Sequence, residues 1–293
     1  MQVQVCSDLH LEVWRGTSWP RKLVWELMIK PAAPYLALVG DITTPGIFRI
    51  VGAESDVDNL AAFLRWLSRR FVRVFFVIGN HELFSKSRRY PSLPGQSASA
   101  ILKTISDICD SIPGVELLNR RSVVVDNVRV IGATLWSDID VDSQPIVALV
   151  ENSIGDYHRI FVEKDDGELR LLKVSDTVEW HRQDAAFIQE ELYEAERLGQ
   201  RSLVLTHHAP WRAGTCKPEF ANSQLNCAFA SDIRFLDIGT VHTAWVHGHT
   251  HWNSRQIIGG SVLVSNQLGY KRRTECDIED CGLAYEPDYV ISI

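Results

Sequence analysis

Val3-Gln4-Val5-Cys6-Ser7-Asp8-Leu9-His10, near the start of the chain, is an apolar run that ends in a carboxylate and an imidazole. The same pattern returns four times. Tyr35-Leu36-Ala37-Leu38-Val39 runs into Gly40-Asp41, and Val74-Phe75-Phe76-Val77-Ile78 into Gly79-Asn80-His81-Glu82. Leu203-Val204-Leu205 runs into Thr206-His207-His208, and Ala244-Trp245-Val246 into His247-Gly248-His249-Thr250-His251. Short runs rich in Val, Leu and Phe, bounded by turn residues, read as buried strands. In sheets of this kind ligands bind outside the carboxyl ends of the strands. One Asp or His in such a place means little; five clusters converging there define a single site.

Between the second and third runs, residues 56–71 carry apolar side chains at Val57, Leu60, Ala61, Leu64, Leu67 and Phe71. That is helical spacing, and a helix there is the crossover two parallel strands require. Residues 97–112 repeat the pattern, and Pro113-Gly114 stops it. Asp176 with Glu179 reads as a capping box that opens a long helix ending at Gly199. Further strands are expected over residues 123–125, 128–131 and 132–136, with Asp126-Asn127 as the turn between the first two. Residues 255–258, 261–265 and 289–293 are expected to close the fold as a β-meander.

Residues 137–175 show neither period. A stretch that long without periodicity is usually functional or disordered. It follows a strand that ends beside the other clusters, so it is expected to form a mobile cap over the site, with Tyr157 and Arg159 facing the substrate. A surface excursion far from the site is the alternative.

The 293 residues are 45% hydrophobic and 23% charged, an ordinary globular composition. Candidate site residues span positions 8 to 251, which favours one domain over residues 1–293 to two separate ones. No apolar run approaches the ~20 residues of a membrane span. The first strand begins at Val3, and cleaving a leader would remove Asp8, so a cytoplasmic protein is expected. The six cysteines (Cys6, Cys109, Cys216, Cys227, Cys276 and Cys281) are scattered and read as free thiols. A net charge of −7 gives no global electrostatic case for nucleic acid. Two local basic clusters remain, Lys86 with Arg88 and Arg89, and Lys271 with Arg272 and Arg273. The first lies just beyond Asn80-His81 and keeps single-stranded nucleic acid open as a second substrate class.

Asp8 and His10 can close on one ion from a single strand end. Asp41 has two oxygens and can bridge two ions about 3.5–4 Å apart. Asn80 offers an amide oxygen, and His207, His249 and His251 offer imidazoles. Mixed nitrogen and oxygen ligation suits Mn, Fe, Zn, Ni or Co. Two-metal sites supply a hydroxide near neutral pH and clamp the attacking and leaving oxygens of an in-line displacement. Phosphoryl transfer needs that most, because charge builds on the phosphoryl oxygens.

Asp8-x-His10, Gly40-Asp41, Gly79-Asn80-His81-Glu82, the histidine before His208-Ala209-Pro210, and Gly248-His249-x-His251 together resemble the calcineurin-like metallophosphoesterases. The resemblance implies an α/β fold of four layers, α/β/β/α, with two mixed sheets face to face and helices outside. It implies one metal at Asp8, His10, Asp41 and His251, and a second at Asp41, Asn80, His207 and His249. The pair would be two divalent ions, or Fe with a divalent partner, most readily Mn, Fe or Zn. Asp41, Asn80 and His81 become the catalytic set, with His81 contacting the phosphate and assisting the leaving group. The implied activity is hydrolysis of small phosphoesters, as a phosphatase or phosphodiesterase, by a metal-activated hydroxide. A nuclease is the alternative within enzymes, and a non-catalytic scaffold of the same fold is the alternative outside them.

The chain departs from the family at Thr44. In the protein-phosphatase branch an Asp at that position orients the histidine matching His81. Purple acid phosphatases have there a Tyr that binds ferric iron, so this chain is not expected to be purple. His81 itself separates the chain from the lipid A pathway hydrolases, which have Arg at that position. His208 and His247 neighbour the motif histidines and read as packed or supporting residues. His158, His181 and His242 read as surface or helix residues. Asp138 and Asp140 read as loop caps, and Trp14, Trp19 and Trp25 as packing.

Overall fold

The computed structural model describes residues 1–14, 20–46, 56–85, 95–234, 243–270 and 283–293. Both basic clusters, Cys276, Cys281, Trp19 and His242 lie outside the described residues.

Strands β1 (Gln2–Cys6), β2 (Tyr35–Val39), β3 (Arg73–Val77) and β4 (Val115–Leu117) run parallel and side by side. Their near-continuous apolar sequences follow from burial on both faces, the usual state of parallel strands. Alternation then sorts side chains between two layers. Leu36 and Leu38 of β2 point to the outer layer, where they meet helices α1 (Arg21–Met28), α2 (Asp56–Ser68) and α3 (Ala98–Asp110) through Trp25, Leu60, Phe63 and Ile105. Ala37 and Val39 point the other way, with Phe75 and Val77, into the layer between the sheets.

The second sheet closes that layer. Strands β6 (Val128–Ala133), β9 (Arg201–Thr206), β10 (Thr243–His247) and β12 (Ser261–Ser265) are parallel, in the order β12-β10-β9-β6. Antiparallel β5 (Arg121–Val125) and β11 (Arg255–Ile258) lie at its two edges. Val128, Val130, Leu203, Leu205 and Val246 face the first sheet. Ile131, Val204, Trp245 and Leu263 face outward, where Ile188 of helix α6 (Val174–Arg197) packs on them. Four layers result, α/β/β/α.

Several expectations need correction. The last three segments are not a meander: β11 and β12 form a hairpin, but β13 (Val290–Ser292) crosses to the first sheet and pairs antiparallel with β1. The strand expected to reach residue 136 stops at Ala133, and Leu135 and Trp136 have φ of 72° and 45°. Helix α6 begins two residues before Asp176. The Asp176 carboxylate accepts the Lys173 N–H at 2.9 Å, so the box joins residues 173 and 176. Residues 137–175 are not irregular. They hold helices α4 (Gln144–Ser153) and α5 (Asp156–Arg159) and a hairpin of β7 (Phe161–Glu163) with β8 (Leu169–Leu171). Contrary to the expectation of no period, Ile146, Val147, Val150 and Ile154 recur at helical spacing and pack on the core. No helix of the described residues is long and apolar enough to cross a membrane.

Candidate metal centre

The ends of β1, β2 and β3 in one sheet meet the ends of β9 and β10 in the other. There the backbone turns through conformations that L-residues seldom adopt. Asp8, His10, Asp41, His249 and His251 have φ of 54°, 45°, 54°, 70° and 51°. Such strain, of order 1–3 kcal/mol per residue, persists only where the surroundings over-determine it. Gly40 shows the constraint most sharply. Its φ is 84°, and a Cβ there would collide with the His207 ring. A Cβ at Gly79 would collide with the Asp41 carboxylate.

All seven residues expected to bind metal are brought together, along with His81. Asp8 Oδ1 lies 3.2 Å from His251 Nε2, which lies 3.1 Å from His10 Nε2. His10 Nε2 is 3.9 Å from Asp41 Oδ2. On the other side of Asp41, Oδ1 lies 3.3 Å from His207 Nε2, which is 3.1 Å from Asn80 Oδ1. Ligand atoms of Asp8, His10 and His251 lie within 4.8 Å of one another, as do those of Asp41, His207 and His249. His10, Glu12 and His81 form a third such group. Asp41 belongs to the group of His207 and His249 and reaches towards His10 of the other two.

The rear atoms of these side chains are committed elsewhere. His207 Nδ1 donates to the Val39 carbonyl at 2.9 Å, which turns Nε2 towards the cluster. Asn80 Nδ2 donates to Asp156 Oδ1 at 2.7 Å, which turns its Oδ1 inward. The His249 ring stacks on His208 at 4.0 Å and on Phe229 at 5.0 Å. His208 is itself held by Ser137 Oγ at 2.9 Å, and His247 Nδ1 lies 3.1 Å from the Gly248 carbonyl oxygen. Neither is among the clustered donors.

The electrostatics favour a cation. Burial opposes charge on Asp8, yet His251 beside it holds the carboxyl at about 2. Burial likewise opposes charge on Asp41, but His207, His81 and His10 hold it well below the usual carboxylate range. The same pairing raises His207 to about 10 against its burial. A divalent ion satisfies these carboxylates as that proton does. Ionised carboxylates, an amide oxygen and imidazole nitrogens facing one another without thiolate form a donor set that fits Mn, Fe or Zn.

Two carboxylates were not singled out by the sequence. Glu12 lies two residues past His10, in a 3₁₀ turn over Leu11–Trp14. Its Oε1 is 3.1 Å from His10 Nδ1 and 3.3 Å from His81 Nδ1. Burial opposes its charge, but these two histidines hold it at about 2. With Thr44 in the usual place of an orienting acid, Glu12 supplies the carboxylate behind His81. The repeat Asp8-x-His10-x-Glu12 was the available signal.

Glu82 is fully buried and accepts four backbone N–H groups. These come from Asp41 at 2.9 Å, Ile42 at 2.6 Å, Thr43 at 3.2 Å and Gly79 at 2.6 Å. It ties the ends of β2 and β3 together. Burial, with Asp41 close by, pushes it up to about 7 against the pull of those donors. Glu82→Ala strands several buried donors, each costing about 1–3 kcal/mol. The expected loss is ~3 kcal/mol or more, read as a lower urea midpoint at unchanged slope. A shift equivalent to under ~0.5 kcal/mol, the size of an ordinary surface substitution, would remove Glu82 from this role.

The centre opens into a cavity of about 730 Å3, lined by Asp41, Asn80, His81, His249 and His251 together with residues 153–156 and Arg159. Part of the 137–175 stretch therefore faces the site. Tyr157 does not: it is buried, with its hydroxyl 3.1 Å from Thr177 Oγ1. Asp156, from the same short helix, is the residue that reaches Asn80. Burial raises it to about 6 despite the hydrogen bond from Asn80. His181 is buried on α6 and bonds the Leu135 carbonyl at 2.8 Å, so it is a helix residue but not a surface one. Asp138 is absent from the cavity lining, and Asp140 accepts the Asp142 N–H as a loop cap.

Residues 1–253 match the family of calcineurin-like phosphoesterases. The chain belongs to that family. A relative from Acanthamoeba polyphaga mimivirus, "Uncharacterized protein L509", is 30% identical over 273 residues, covering 90% of this chain and 89% of the relative. Among solved structures, phosphopantetheinyl hydrolase from Mycobacterium tuberculosis superposes with a TM-score of 0.63 at 16% identity, over 92% of this chain and 89% of that one. That likeness speaks for the fold. Family membership agrees with the four layers and with clustered Asp and His side chains at the strand ends.

Proposed function

We propose that this calcineurin-like phosphoesterase hydrolyses small phosphoesters at two divalent metal ions. The observation that carries the reading is Asp41, in the lining of an open cavity, with one oxygen facing His207 and the other facing His10. Asp8, His10, Asp41 and His251 would hold one ion, and Asp41, Asn80, His207 and His249 the other. Mn, Fe or Zn suits these donors. When bound, such a pair makes water nucleophilic near neutral pH and neutralises phosphoryl charge.

The chain's own groups do the rest. His81 Nε2 faces the cavity 3.8 Å from Asp41 Oδ2, and Glu12 fixes the ring from behind. From there it can give a proton to the departing ester oxygen. Asn80 stays in place through Asp156, and Gly155 and Arg159 are part of the cavity lining. Residues 137–175 thus act as a substrate-selecting wall built on buried Val150, Ile160 and Leu172. We further propose that residues 1–293 form one domain and that the unpaired thiols of Cys6, Cys109, Cys216 and Cys227 suit the cytoplasm. A small-molecule ester is favoured over nucleic acid because the net charge is −7.

The test is turnover of bis-p-nitrophenyl phosphate and p-nitrophenyl phosphate. After chelation, activity should vanish and return with added Mn. Undiminished turnover by protein shown metal-free by elemental analysis would refute the metal mechanism. Two bound metals without turnover of any ester in a broad panel would favour the scaffold reading.

A further inference from the structure

Beside the metal cavity lies a second one of about 500 Å3. The two share Phe229, Thr250, His251 and Tyr270 in their walls, so the second opens against the same candidate ligand, His251. Most of its exposed lining is apolar, with Phe220, Leu225 and Leu268 prominent, and Lys217, Ser223 and Asn226 also border it. The loop that builds it runs from the end of β9, where His207 sits, through two 3₁₀ turns at Pro218–Phe220 and Gln224–Ala228. That loop is fastened at its base. Ala209 and Ala230 pair as a bridge, and the Arg212 N–H donates to Asp232 at 3.0 Å. Phe220 and Tyr270 are 54% and 53% exposed, although they line a concave surface. Exposed aromatic walls in a preformed concavity are the usual form of a small-ligand site.

Tyr270 joins the two spaces. Its hydroxyl lies 3.0 Å from His81 Nε2, and its ring is 4.3 Å from His10 and 4.7 Å from His251. One end of the residue meets the candidate proton donor, while the residue also walls the apolar chamber. Tyr270 and His251 thus mark the boundary where the metal cavity adjoins the second one.

We propose that the second cavity is the subsite for an uncharged apolar group of the substrate, an alkyl chain or ring esterified to the phosphate. This rests on the phosphoesterase reading and narrows its substrate class. The adjoining wall of His251 and Tyr270 commits the cavity to the substrate itself rather than to a separate partner. Burying methylenes there lowers KM through transfer from water and leaves the chemical step little changed.

The experiment uses methyl, butyl and hexyl p-nitrophenyl phosphate, which release the same phenolate. KM should fall at least tenfold from methyl to hexyl, with kcat within about threefold. Phe220→Asp and, separately, Leu225→Ala should erase most of that gain while leaving the methyl ester unaffected. Calorimetry with hexylphosphonate and methylphosphonate should give the same ranking without turnover. Turnover with KM flat along the series overturns the subsite and leaves the phosphoesterase reading standing. If no ester is turned over, that reading fails and the subsite, which rests on it, falls with it; equal affinity for the two phosphonates also overturns the subsite. Hexanol binding as tightly as hexylphosphonate would also overturn it, because the cavity would then be independent of the phosphate site.

Discussion

Asp41→Asn is expected to lose one metal equivalent and at least ~100-fold in activity, about 3 kcal/mol of transition-state stabilisation. Among the described residues Asp41 is the carboxylate that faces both sides, with Oδ1 towards His207 and Oδ2 towards His10 and His81. Asparagine has nearly the same shape. Its amide oxygen can still accept the His81 N–H, which Asp41 Oδ1 now receives at 2.9 Å, so the fold should survive. What changes is one negative charge and one of two cation-facing oxygens. Two positive ions close together need that charge more than any other at the site. Elemental analysis paired with a rate on bis-p-nitrophenyl phosphate checks this. Two retained metals with near-normal turnover would remove Asp41 from the role of shared ligand.

The fold was legible because its central strands are buried on two faces. Continuous runs such as Tyr35-Leu36-Ala37-Leu38-Val39 have no other stable home in a chain this size, and each donor cluster follows its run directly. Clustered donors are visible in sequence because a ligand at a strand end leaves a local signature. Residues that reach the site from elsewhere leave none. Tyr270 follows a glycine beyond β12, and nothing near it in sequence marks it as a neighbour of His81. Asp156 stands in the sequence only as part of a polar string, beside Tyr157 and Arg159, whose side chains are the ones able to stack on and ion-pair with a substrate. The four-residue turn of α5 instead buries Tyr157 under α6 and leaves Asp156 against Asn80. β13 was misplaced for a similar reason. A strand of three residues carries no information about which sheet edge it joins, and the edge beside β1 was open.

His81→Ala should produce the second large effect, and its form matters more than its size. If His81 protonates the leaving oxygen, poor leaving groups such as alkyl alcohols should slow by roughly 10²–10⁴-fold, while p-nitrophenolate, which departs without a proton, should slow far less. Metal content should remain at two, because the His81 side chain is outside the two candidate ligand sets. Glu12 sharpens the test. Its Oε1 faces the Nδ1 atoms of both His81 and His10, so one carboxylate orients the candidate acid and a candidate ligand together. Glu12→Gln removes the carboxylate charge that faces both Nδ1 atoms and replaces one acceptor with a donor. It should reproduce the leaving-group dependence of His81→Ala at smaller amplitude, about tenfold, and weaken retention of the ion at His10, since orienting partners of ligands are commonly worth 10–100-fold in metal affinity. Equal slowing of alkyl and nitrophenyl esters by His81→Ala would mean that His81 only binds phosphate. Glu12 would then be left as a support for His10 alone.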